Sequence, residues 1–162
     1  MSRQLCELET VLQQMIVEHR RLLAHVEKHE AAMKSFDLKA MDDAARLQET
    51  SRQRIAVLEQ RRRLLALELA KGMSVQELTI RKIAELNPGR SDVLLRLGAE
   101  LKETVVQISA RTHVAGKLAS AVLGHLNVIV RLIAGAVEKA GLYTKHGIPQ
   151  VSSRIGMMEA VG

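Results

Sequence analysis

Between Leu5 and Phe36 the chain repeats at alternating intervals of three and four: Leu5, Leu8, Leu12, Met15, His19, Leu22, Val26, His29, Met33 and Phe36, eight of the ten apolar. That spacing is the seam of an α-helix packed lengthwise on another helix, and it spans about 50 Å at 1.5 Å per residue. A helix over about 4–36 is therefore expected. Lys34-Ser35-Phe36-Asp37-Leu38 interrupts the pattern, and Ser35 or Asp37 can cap the amides of a new helix. A chain reversal there predicts a helical hairpin. Its second arm, about 38–71, carries an expected seam through Leu38, Met41, Ala45, Leu47, Ser51, Ile55, Leu58, Leu65 and Leu69. Lys71-Gly72 supplies a helix stop, a cation at the C-terminus followed by a residue that tolerates the left-handed cap.

Ser74-Val75-Gln76-Glu77 matches a capping box and predicts a short helix over about 75–86. Asn87-Pro88-Gly89-Arg90 is a loop, because proline disfavours helix at the residue before it. Ser91 and Asp92 open a long last helix, about 92–140, with an apolar face through Leu94, Leu97, Leu101, Val105, Ile108, Leu118, Val122, Leu126, Ile129, Ile133 and Val137. Gly98, Gly116, Gly124 and Gly135 each cost this helix about 1 kcal/mol relative to alanine, and close approach of another helix is the expected return. The expected fold is thus an all-α antiparallel helical bundle, a single domain over 1–140 with a flexible tail over 141–162. Composition agrees: hydrophobic residues make up 47% but aromatics only 1%, so an aliphatic core is built from residues that suit helix packing.

Several function classes drop out. Cys6 is the lone cysteine, so no internal disulfide forms and a reducing cytosol is the expected compartment. The opening residues mix charge with leucine and lack a signal-peptide apolar stretch. Leu118–Val137 comes closest to a membrane span, but Lys117, His125 and Arg131 punctuate it, which reads as a bundle helix and not as stable membrane insertion. No phosphate-binding glycine loop, serine elbow or paired cysteines is present, so no catalytic residue, cofactor or enzyme activity is expected. His25 and His29 share a helical face at a spacing that can supply two metal ligands, fewer than a zinc site uses, and surface or seam histidines are the preferred reading. Asp42-Asp43 diverge on a helix and serve the helix dipole. The net charge of +6 raises nucleic acid as a partner, yet residues 1–36 carry five basic and five acidic groups and residues 37–71 eight and six. The triplet Arg61-Arg62-Arg63 points in three directions on a helix.

The layout, with the break Phe36-Asp37-Leu38-Lys39-Ala40-Met41 and the terminal Tyr143-Thr144-Lys145-His146-Gly147, resembles the FlgN-like family of flagellar export chaperones over nearly the whole chain. The resemblance implies a non-enzymatic cytoplasmic bundle. Such a protein keeps hook-filament junction proteins soluble through their C-terminal amphipathic segments and hands them to the flagellar export apparatus. It also implies a client-binding surface toward the C-terminal part, which maps to Val122, Leu126, Ile129, Leu132, Ile133, Val137 and Tyr143. Where the family commonly places asparagines midway along the last helix, Thr112 and Ala115 stand here. Two alternatives remain: a basic coiled coil that binds nucleic acid, and a structural bundle that forms homo-oligomers.

Overall fold

The computed structural model describes the backbone of residues 2–73 and 79–141 and the side chains of 3–73 and 79–136. Helix α1 (Ser2–Ser35) and helix α2 (Leu38–Met73) form the hairpin. Helix α3 (Ile80–Leu86), one 3-10 turn (Pro88–Arg90) and the long helix α4 (Ser91–Gly141) follow, and no strand occurs among the described residues. The chain divides into two compact units, Met1–Ala119 and Ser120–Gly162. The expected tail lies, but for Gly141, outside the described residues.

The hairpin turn is built from two residues. Phe36 adopts the left-handed conformation, with φ at 54°. Its N–H donates to the Met33 carbonyl at 3.3 Å while the Asp37 N–H donates to that of Ala32 at 3.0 Å, a Schellman closure that satisfies the last carbonyls of α1. Asp37 then caps α2, its Oδ1 accepting from the Ala40 N–H at 3.0 Å. Of the two expected caps, Asp37 serves; the Ser35 hydroxyl instead donates back to Ala31 and Ala32 at 3.2 Å.

The α1 seam runs as expected from Leu5 to Met33, but Phe36 has left it for the turn and stands 54% exposed. Val11 and Ile16 join the core beside it. On α2 the expected seam holds from Ser51 onward and is corrected before it. Leu38 and Leu47 are exposed, as is Ala45, and the buried or partly buried line runs Ala44, Gln48, Ser51, Ile55, Leu58, Arg62, Leu65 and Leu69. That line keeps the three-four alternation throughout, with polar residues at three of its positions. An apolar-only search slides off it. Gln48 and Ser51 are admitted to the seam because α1 supplies polar partners there: the Ser51 hydroxyl donates to Glu18 Oε1 at 3.1 Å, and Gln48 Nε2 lies 3.0 Å from His29 Nδ1.

Two boundaries also move. α2 passes through Lys71-Gly72 to Met73, Gly72 keeping a helical backbone, so the expected stop is not used. α3 starts at Ile80, where the Thr79 hydroxyl accepts from the Lys82 N–H at 3.1 Å and performs the capping expected of Ser74; the capping-box residues 74–77 lie outside the described residues. At its far end the Asn87 amide donates to the Ile83 carbonyl at 2.8 Å, and Pro88 opens the 3-10 turn.

The apolar core lies among the N-terminal half of α1, the C-terminal half of α2, α3 and the start of α4. Leu8, Leu12, Leu69, Ile83 and Leu94 are its most buried large side chains. Each contributes about 1.5–3 kcal/mol on burial. Further along the hairpin, polar groups replace it. Glu18 is buried to 5% and held by Arg21 at 3.0 Å and Arg54 at 3.7 Å as well as by Ser51. Glu30, also buried, meets Lys34 at 2.6 Å and Arg111 of α4 at 3.6 Å. The Lys34 hydrogen bond holds the Glu30 carboxyl below its ordinary pKa against the opposing effect of burial. Arg20 and Glu100, 2.6 Å apart, add a surface tie between α1 and the first half of α4.

Candidate protein-binding face

Ser120 to Gly141, the second half of α4, forms the described part of the second unit. Successive residues step about 100° around a helix. Val122, Leu126, Ile129 and Ile133 therefore fall on one stripe, with Leu123 and Val130 forming a second row beside it. Ser120, Asn127 and Arg131 stack on the far side. The helix is two-sided, and its apolar side is open: Leu126, Ile129, Ile133 and Leu132 are 40%, 49%, 58% and 68% exposed, while Val122 is buried. Leu132 lies about 100° from the stripe centre and borders it. Leu123 and Val130, both more than half exposed, belong to the same surface and were absent from the expected contact set. Their signal was available in the sequence, since Leu123, Val130 and Val137 recur at intervals of seven. The Val137 side chain and all of Tyr143 lie outside the described residues.

By length and composition alone α4 is long and apolar enough to cross a membrane. Its most apolar window has a mean hydropathy of 1.6 and is 6% buried. Lys117, His125 and Arg131 punctuate this stretch. The glycines give a divided answer. At Gly98 an added Cβ would meet the Ile80 side chain at 3.3 Å, the close approach expected of such a residue. At Gly124 and Gly135 it would meet nothing within 4 Å. Among the described residues their Cβ space is vacant.

Elsewhere most of the candidate chemistry is absorbed by structure, although His25 Nδ1 is buried with no hydrogen-bond partner among the described residues. His19 Nδ1 lies 2.7 Å from the Met15 carbonyl and His29 faces Gln48, so neither is arranged with other ligands. No group of three or more potential metal-binding side chains occurs among the described residues. Each arginine of the triplet is ion-paired within the chain, two carboxylates serving three guanidiniums: Arg61 meets Glu7 at 2.6 Å, and Arg62 and Arg63 share Glu59 at 2.7 and 2.8 Å. Hydrogen bonding from Arg62 first, then Arg63, holds the Glu59 carboxyl down to about 2 despite partial desolvation. Asp42 is occupied by Arg46 at 2.8 Å.

A helical hairpin followed by a long helix with an exposed apolar side is an architecture without a catalytic cluster among the described residues, of the kind found in helical protein-binding modules. The sequence profile of the FlgN protein family matches residues 1–150, and the chain belongs to that family of flagellar export chaperones. No curated protein and no solved structure matches the chain significantly. Members of the family are soluble cytosolic chaperones for flagellar export substrates and are not known as enzymes.

Proposed function

We propose that this chain holds hook-filament junction proteins in the cytosol, soluble and unassembled, by seating their C-terminal amphipathic segments on the open stripe of α4, and passes them to the flagellar export apparatus. The carrying observation is the set Leu126, Ile129 and Ile133, which line one helical side yet stay 40–58% exposed. A free monomer gains nothing by leaving such a stripe in water, whereas a partner's apolar side would be buried against it. Val122, Leu132, Val137 and Tyr143 complete the proposed contact set. No catalytic step, metal or cofactor enters this activity.

The nucleic-acid reading is weaker, because Arg61, Arg62 and Arg63 already answer Glu7 and Glu59. Self-association through the stripe is the competing protein-binding reading. Both are separated by one experiment. The Ile129→Asp/Ile133→Asp variant is titrated with the C-terminal segment of each junction protein, and its helicity is followed by circular dichroism. Expected is a loss of affinity of at least 100-fold with helical content retained, since each exposed site tolerates a charge but a buried interface does not. Unchanged affinity, or no complex with either junction protein for the unmutated chain, would sink the proposal.

A further inference from the structure

The hairpin has a second open side that α4 does not touch. Between α1 and α2 runs a groove of about 840 Å³ lined on one wall by Thr10, Gln13, Val17 and Arg21 and on the other by Gln53, Arg54 and Val57, with no residue of α4 among its lining. Residues 10, 13, 14, 17 and 21 of α1 share one side of that helix, as do 50, 53, 54 and 57 of α2. The groove follows the helices for about three turns, some 16 Å at 1.5 Å per residue. Val17 and Val57 are exposed in it, amides and hydroxyls line it, and Arg21 stands at one end with Arg54 reaching the same Glu18 carboxylate.

That end has an excess of cation. The single Glu18 carboxylate is shared between Arg21 at 3.0 Å and Arg54 at 3.7 Å, and it also accepts from the Ser51 hydroxyl. Both guanidiniums remain more than half exposed, so each keeps donors facing the groove. A second copy of the same surface would bring a like set of arginines and no spare carboxylate. The chain's own residues 142–162 carry Lys145 and Arg154 against Glu159, the wrong balance for this end.

We propose that this groove is a second docking site, which takes an amphipathic helix of about three turns from a partner protein, with small apolar residues over Val17 and Val57 and a carboxylate over Arg21 and Arg54. None of its lining residues belongs to the α4 stripe.

The test uses the full chain with labelled valine methyls and three synthetic 14-residue alanine-based helical peptides. All carry the same two valines one turn apart, and they differ only in a terminal pair of glutamates, glutamines or lysines. Expected are saturable shifts of the Val17 and Val57 methyls with the glutamate peptide, affinity about tenfold weaker for the glutamine peptide, and no binding of the lysine peptide. Arg54→Gln should weaken the glutamate peptide about tenfold and Arg54→Lys should restore part of it. Gln53→Glu, which leaves Glu18 and its partners in place, should weaken it as well, so the result does not depend on the integrity of the Glu18 cluster. Equal affinity for the three peptides would overturn the proposal. So would shifts confined to Val128 and Val130 of α4, or Val17 and Val57 shifts that depend on protein concentration without peptide, which would mark a second copy as the occupant.

Discussion

Replacing Glu18 with alanine tests whether the polar section of the hairpin seam is structural. Glu18 is 5% exposed and Ser51 is 2% exposed, and the Ser51 hydroxyl donates to Glu18 Oε1 at 3.1 Å. Removing the carboxylate strands that hydroxyl, at about 1–3 kcal/mol for a buried donor with no acceptor. The ion pair with Arg21 adds less, about 0–1 kcal/mol, because the guanidinium is 57% exposed. The sum is about 1–4 kcal/mol, or about 3–15 °C in Tm for a chain of this size. In Glu18→Ala/Ser51→Ala both partners are gone, nothing is left stranded, and the loss should shrink to about 1 kcal/mol. Urea denaturation of the wild type, both single variants and the double variant closes the cycle. A cost below about 0.5 kcal/mol for Glu18→Ala, or strictly additive single and double costs, would refute the reasoning.

Other outcomes follow from single sites. Gly124→Ala and Gly135→Ala, where a Cβ meets open space, should each raise helix stability by about 0.5–1 kcal/mol, measured by thermal melts of the 222 nm signal. If a client helix approaches closely at those glycines, the same substitutions weaken client binding while they stabilise the free chain. Phe36→Gly relieves a left-handed residue at the hairpin turn and should stabilise by about 1 kcal/mol in chemical denaturation, because Phe36 is more than half exposed and little packing is lost. Glu59, held down to about 2 by Arg62 and Arg63, is charged when folded and easier to protonate when unfolded. Its contribution, about 1 kcal/mol after discounting for partial exposure, is complete above pH 4.5 and lost as pH falls toward 2. Glu59→Gln should therefore flatten the pH dependence of stability in that window, as read from denaturation midpoints.

How far the fold could be read from sequence depends on what each helix buries. The α1 seam was legible because its buried positions are mostly Leu, Met and Val, and the α4 boundaries were legible because Pro88 and Ser91 punctuate them. The α2 seam was legible from Ser51 onward but not before it, because Gln48, like Arg62 further on, stands where an apolar residue is expected, and their admission depends on His29 and Glu59. Neighbouring apolar residues such as Leu47 then offered a false seam. Phe36 misled for the opposite reason: an aromatic in register looks like core, yet the Schellman closure places it at the turn. On the candidate face, the Leu126, Ile129 and Ile133 stripe was visible as periodicity, but periodicity cannot tell a buried stripe from an open one. Exposure is a property of the packed chain.

That distinction bears on why the stripe can serve a partner at all. Leu8, Leu12, Leu69, Ile83 and Leu94 complete their core within the first unit, and the Glu18 and Glu30 clusters extend the helix packing along the same unit. Leu126, Ile129 and Ile133 take no part in that core and are 40%, 49% and 58% exposed. The row Ser120, Asn127 and Arg131 keeps the other side of α4 polar. A lipid-spanning helix would place Arg131 near the apolar centre at a cost of about 2.5–3.5 kcal/mol, whereas a helix docked by one side leaves it in water at none. The same arrangement separates function from folding: an aspartate at Ile129 meets solvent in the free chain and an apolar wall only in a complex. Loss of binding with retained helicity is thus the signature a docking stripe must show, and a core stripe could not.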